Sequence, residues 1–143
     1  MGGGNSRRLP DFIIIGAAKA GTTTLHHYLD LNPQIYMSSP KEPCFFSDDE
    51  IYVKGVDWYS SLFSSAKPDQ ACGEASTRYS PYPQYTEAAP RMAELLPHVK
   101  LIYIMRHPVD RAYSHHVHEM KSPRVKTNPR QRLRMGLNSM ATF

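Results

Sequence analysis

The 143-residue chain is 41% apolar and 21% charged, with 17 Lys+Arg against 13 Asp+Glu, proportions that suit one domain with a continuous core and exclude general disorder. Gly 8, Pro 12 and Cys 2 exclude collagen and a disulfide-stapled mini-protein, and no sustained heptad pattern marks a coiled coil. No apolar run approaches the roughly 18 residues of a membrane-spanning helix.

In chain order, residues 1–8 read as a flexible leader without the apolar segment of a secretory signal. The leader fits the M-G-x-x-x-[ST] pattern of N-myristoylation, a pattern short enough to arise by chance in a Gly-rich stretch. Phe12-Ile13-Ile14-Ile15, ending at Gly16, predicts a buried strand of a parallel sheet. Leu25, Tyr28, Leu29 and Leu31 then recur at helical spacing until Asn32-Pro33 stops the helix. Residues 33–84 are rich in Pro, Ser and aromatics and read as loops with short helices, one around Trp58, Tyr59, Leu62 and Phe63. A helix is predicted over Thr86–Leu96, with Pro90 in its first turn. Leu101–Met105 predicts a second buried strand, and Asp110 opens a helix to about Met120.

All 13 acidic residues precede position 121, whereas Lys121, Arg124, Lys126, Arg130, Arg132 and Arg134 follow without an acidic neighbour. The net charge of +4 is therefore a property of the basic tail over 121–143, which reads as poorly ordered or divergent, and no specific nucleic-acid partner is expected from it. Cys44 and Cys72 form no CxxC and show no metal-ligand spacing with a histidine pair; a reduced chain is the plain reading. The layout is α/β: a P-loop-like parallel sheet flanked by helices.

Two loops carry chemistry. Gly16–Thr24 joins a strand to a helix through small residues, which exposes backbone N–H groups at the positive end of a helix. Lys19 adds a full charge, and Thr22, Thr23 and Thr24 add hydroxyl donors, so the loop predicts a phosphate or sulfate site. It is not a Walker A sequence, because Thr22 follows the second Gly where that motif needs Lys. The second loop, Arg106–Ser114, sets an Arg past a strand end, where ligands collect in open α/β sheets. Asp110, Ser114 and His118 share one helix face, and Arg106 with Ser114 suits a second phosphate.

Ile13–Leu25 resembles the 5′-phosphosulfate loop of sulfotransferases, and Arg106–Ser114 resembles their 3′-phosphate motif. Between them, Pro40–Phe46 and Lys54–Tyr59 look like segments of the heparan-sulfate-type and bacterial members. The likeness covers about residues 9–120 and implies an incomplete sulfotransferase fold, the N-terminal half of a longer domain. It implies 3′-phosphoadenosine 5′-phosphosulfate (PAPS) as sulfate donor, no metal, and an acceptor hydroxyl or amine of a saccharide or small molecule. Lys19, Ala20, Gly21, Thr22, Thr23 and Thr24 would hold the 5′-phosphosulfate, and Lys19 would also neutralise charge developing on the bridging oxygen. Arg106 and Ser114 would bind the 3′-phosphate. Glu42, just before Phe45-Phe46 and beside Lys41, would be the general base.

Other residues carry weaker expectations. Several heparan-type enzymes have a Lys directly after the Glu that Glu74 matches; Ala75 departs from this, so either Lys41 supplies that charge or the acceptor is handled differently. His115, His116 and His118 read as structural or surface histidines, and Trp58 with the Tyr79–Tyr85 stretch as packing. The family's bacterial members suggest the cytoplasm; the Golgi lumen is the alternative if an N-terminal anchor has been removed. Two other functions fit parts of the pattern: a P-loop kinase or NTPase, and a truncated nucleotide-binding remnant without catalysis.

Overall fold

The structure, a computed structural model, describes residues 7–121. The possible myristoylation at Gly2 and nearly all of the basic tail lie outside the described residues. Of the expected leader, Arg7 and Arg8 are described: Arg7 Nε meets Asp57 Oδ1 at 2.6 Å and Arg8 Nε donates to Cys72 Sγ at 3.2 Å.

The isoleucine run forms β1 (Phe12–Gly16), a strand inside the sheet. Ile13 and Ile14 are wholly buried and belong to different core clusters, one on each face. β-Branched residues suit such a doubly covered strand. β1 pairs in parallel with β3 (Ala71–Ala75) on one side and β4 (Lys100–Tyr103) on the other, and β2 (Ile35–Met37) pairs in parallel with β3. The strand order is β2-β3-β1-β4, so all four C-terminal ends point the same way.

One face is covered by α1 (Thr22–Asp30), whose Leu25 and Leu29 pack with Ile14, Met37 and Ala75. The other face carries an aromatic cluster. Phe45 stacks on Tyr59 with ring centroids 4.4 Å apart, and Phe63 meets Tyr59 edge-on at 5.6 Å. Such ring pairs contribute about 0.5–1.5 kcal/mol each beyond the area they bury. The cluster is closed by α3 (Gly55–Ser61), by Met92 inside α4 (Ala88–Leu95) and by Leu96 just past its end; a short α2 (Asp49–Tyr52) is capped by the Asp48 carboxylate. Trp58 stacks on Phe45 at 6.0 Å and Tyr79 is buried, so both pack as expected, whereas Tyr82 in the same Tyr79–Tyr85 stretch is exposed and does not.

The two isoleucine- and leucine-rich strands lie side by side and parallel, as their sequence predicts. The expected burial of Leu101–Met105 is corrected: β4 ends at Tyr103 and lies at the sheet's edge. Leu101, Tyr103 and Met105 are exposed because no further strand or helix among the described residues covers them. The reading of residues 33–84 as loops with short helices is corrected: β2 and β3 both lie there. The final helix, α5 (Pro108–Lys121), begins two residues before Asp110, with Pro108 at the first helical position that its fixed φ suits. Among the described residues no helix is long and apolar enough to cross a membrane.

Candidate functional site

The loop from β1 to α1 is shaped by two glycines. At Gly16 an added Cβ would lie 2.5 Å from Ser80 Oγ and 2.8 Å from Tyr103 Cε2, so only hydrogen fits. At Gly21, the residue capping α1, φ is +102°, a conformation closed to other residues without strain. Gly21 brings no side-chain cap, so the first-turn N–H groups of Thr22, Thr23 and Thr24 lack intrahelical partners and face outward with the positive end of the helix dipole. The Thr22 side chain is buried; Thr23 and Thr24 are exposed. Lys19 is half-buried at φ +65° and takes part in none of the ion pairs among the described residues.

The loop after β4 lies against this one. Ile104 N–H donates to Gly16 O at 2.8 Å, and Ala17 N–H donates to Ile104 O at 3.0 Å. Arg106, exposed just beyond the strand, donates from Nη1 to the carbonyl of Lys19 at 3.2 Å. The two candidate phosphate loops thus meet through a guanidinium. Ser114 is half-buried on α5 and makes no hydrogen bond to Arg106. Its neighbour His115 is half-buried with Nδ1 unpartnered; burial chiefly pushes its pKa down, partly opposed by Glu119, and the positive charges around it, Arg111 first and Lys19 least, add smaller downward pushes. His116 and His118 are exposed.

Glu42 comes to the same edge from between β2 and α2. Its N–H donates to Ala75 O, at the end of β3, at 3.0 Å. Its φ is +57°, and Cys44 follows at +56°; with Lys19 these are the non-glycine residues at positive φ among those described. Left-handed backbone at an L-residue costs of order 1 kcal/mol and tends to collect at functional sites. Lys41 Nζ lies 2.9 Å from Glu42 Oε1, and Thr77 Oγ1 donates to the same oxygen at 3.4 Å. Both contacts fall on Oε1. Oε2 has no protein partner among the described residues, and the side chain is 36% exposed. Ala75, by contrast, is wholly buried, while Lys41 is the cation against the Glu42 carboxylate.

Sequence reasoning ranked Glu74 low, yet its side chain is fully buried. It accepts from the hydroxyls of Tyr59, Tyr79 at 2.6 Å and Ser76 at 2.7 Å. Burial pushes its carboxyl above the ordinary range, and the three donors pull it back. Burial and the neighbouring carboxylate also raise Tyr59 and Tyr79. The one available signal was a Glu among small residues, Gly73-Glu74-Ala75-Ser76, with tyrosines on either side. Both cysteines are free and buried. Among the described residues no group of His, Cys, Asp and Glu is arranged to hold a metal ion.

Comparison with known proteins agrees with this architecture. The family described as "Sulfotransferase domain" matches residues 9–137. The human bifunctional heparan sulfate N-deacetylase/N-sulfotransferase 2 is 38% identical over 120 residues, 78% of this chain. The membrane-associated sulfotransferase kil1 of Dictyostelium discoideum is 39% identical over 109 residues, 74% of this chain. The chain spans 13% of the first and 22% of the second. A solved sulfotransferase from Alicyclobacillus acidocaldarius superposes with a TM-score of 0.71 at 32% identity, covering 90% of this chain and 60% of that one.

Proposed function

The chain belongs to the sulfotransferase domain family, and on that premise we propose that it binds PAPS and serves sulfuryl transfer to a saccharide hydroxyl or amine. The observation that carries the reading is the Arg106 guanidinium on the Lys19 carbonyl, which makes one anion-binding surface from two loops. The residues present suit the donor. An uncapped helix N-terminus with an adjacent Lys fits a phosphosulfate, and an exposed Arg at the neighbouring strand end fits a 3′-phosphate. The acceptor class follows from the heparan sulfate named for the relatives.

When bound, PAPS supplies the sulfuryl group. Lys19 and the N–H groups of Gly21, Thr22, Thr23 and Thr24, with the backbone of Ala20, hold the 5′ side, and Lys19 offsets negative charge as it develops there. Arg106 and Ser114 hold the 3′-phosphate. Glu42 takes the acceptor's proton on Oε2, the oxygen left open, while Lys41 and Thr77 fix Oε1. Lys41 supplies the positive charge beside the base that Ala75 lacks.

Titration with adenosine 3′,5′-bisphosphate and with ATP tests the reading: the bisphosphate is expected to bind more tightly, and equal or tighter ATP binding overturns it. Transfer of label from PAPS to an N-deacetylated heparan-type oligosaccharide tests the acceptor. A folded chain that binds the bisphosphate and sulfates no acceptor would be a nucleotide-binding remnant instead. A P-loop NTPase is disfavoured, since Thr22 replaces the Walker Lys and β4 runs on into Ile104-Met105-Arg106 without an acid.

A further inference from the structure

A buried carboxylate is costly unless its oxygens are bonded. No Lys or Arg among the described residues pairs with Glu74. It is held by hydroxyls, and two of them are used twice. Ser76 Oγ donates to Glu74 Oε1 at 2.7 Å and accepts the Cys44 N–H at 3.1 Å. Tyr79 Oη donates to Oε1 at 2.6 Å and accepts the Phe46 N–H at 3.5 Å. A hydroxyl has one proton, so each one committed to Glu74 turns its lone pairs toward the 42–46 segment. The same stretch of chain holds Glu42 directly, through Ala75 O and Thr77 Oγ1.

We propose that Glu74 is a positioning residue for Glu42: through Ser76 and Tyr79 it fixes the 42–46 loop, with Glu42 and Cys44 at positive φ, so that Glu42 presents its open oxygen to the acceptor. The proposal rests on Glu42 as the base. Its structural half, the link from Glu74 to the loop, stands apart from turnover and is measured separately. Removing the acceptor frees both hydroxyls to rotate, and the Cys44 and Phe46 amides then lose their fixed partners.

The test is amide hydrogen exchange by NMR on the full chain. In Glu74→Leu, exchange at Cys44 and Phe46 is expected to quicken about tenfold relative to Ile13 and Ile14, with bisphosphate affinity kept. In Glu74→Gln, whose amide oxygen still accepts both hydroxyls, exchange should stay within about threefold of the parent. Unchanged exchange in the Leu variant, or equal quickening throughout β1, overturns the proposal. If the Leu variant does not fold, Ser76→Ala decides: quickening at Cys44 but not Phe46 supports the link, and equal rates at both overturn it. In turnover, Glu74→Leu should lower kcat with the donor KM unchanged; an unchanged kcat refutes positioning. A Glu42→Gln variant that keeps its kcat overturns the base reading alone, because the exchange rates judge Glu74 independently.

Discussion

Replacing Arg106 by alanine should remove the preference for a 3′-phosphate. The guanidinium has five N–H donors, and one is used on the Lys19 carbonyl at 3.2 Å, leaving the rest for a ligand. Hydrogen bonds to a charged partner are worth about 1.5–3 kcal/mol, so adenosine 3′,5′-bisphosphate should bind about 10- to 150-fold more weakly. Because Arg106 is exposed and screened by water, the lower end of that range is expected. The Lys19 contact is lost as well, and adenosine 5′-monophosphate reports that loss alone. That bond is charge-assisted but exposed, so it is worth about 0.5–1 kcal/mol and the monophosphate should weaken only about two- to fivefold. Calorimetric titration of both ligands against parent and variant measures the two factors. Equal factors would mean that Arg106 acts only by bracing Lys19, and no change would remove it from the site; either refutes its assignment to the 3′-phosphate.

Gly21→Ala should lower stability by about 1–2 kcal/mol in urea denaturation through its φ of +102°, since its Cβ would meet nothing within 4 Å. Gly16→Ala should cost about 1–3 kcal/mol by overpacking, and adding Ser80→Ala should restore only part, because the Tyr103 ring stays 2.8 Å from the new methyl. Glu42→Gln should lower single-turnover transfer by about 10²- to 10⁴-fold while leaving bisphosphate binding unchanged. The Glu74 carboxyl is raised in the fold above its ordinary 4.5, so it stabilises at low pH and that contribution is lost as pH rises through the folded value. The stability of the parent relative to Glu74→Gln should therefore fall as pH climbs from 4.5, as followed by urea midpoints; a rise would contradict the burial of this group.

The legible parts of the chain are those whose signal is local. β1 announces itself by an uninterrupted Ile13-Ile14-Ile15, and the candidate phosphate loop by small residues around Lys19 and Gly21. β3 is hidden for a physical reason: it reads Ala-Cys-Gly-Glu-Ala because its neighbours lie across it. A Cβ on Gly73 would sit 2.2 Å from Phe12 Cζ and 2.7 Å from Met37 Sδ, so the bulk that fills this place comes from other strands. β2 has three residues, too few for any period to register. Glu42 could be singled out only through the family likeness, since its bond to Ala75 crosses from one strand end to another. Glu74 was harder still, because Tyr59 belongs to α3 and no pattern within either segment joins them.

The sheet order explains why residues so far apart in the chain meet at one edge. β1 lies between β3 and β4, so the loop it feeds touches both neighbours. Arg106 reaches Lys19 from the β4 side, while Glu42 is tied to β3. Lys19 and Glu42 both sit at positive φ, an expense of order 1 kcal/mol each that a mobile loop would relax away. Here the loops cannot relax freely. Ile104 N–H on Gly16 O at 2.8 Å and Ser76 N–H on Ile14 O at 3.0 Å extend the ladder beyond the strands, carrying the sheet's rigidity into the loops. The Glu74 hydroxyl fan then does for Cys44 and Phe46 what the Ala75 carbonyl does for Glu42, because beyond Glu42 these amides find their partners in side chains. A charged pair of candidate site residues held at positive φ thus depends on two kinds of support, and removing either should be felt at Glu42 before it is felt in the sheet.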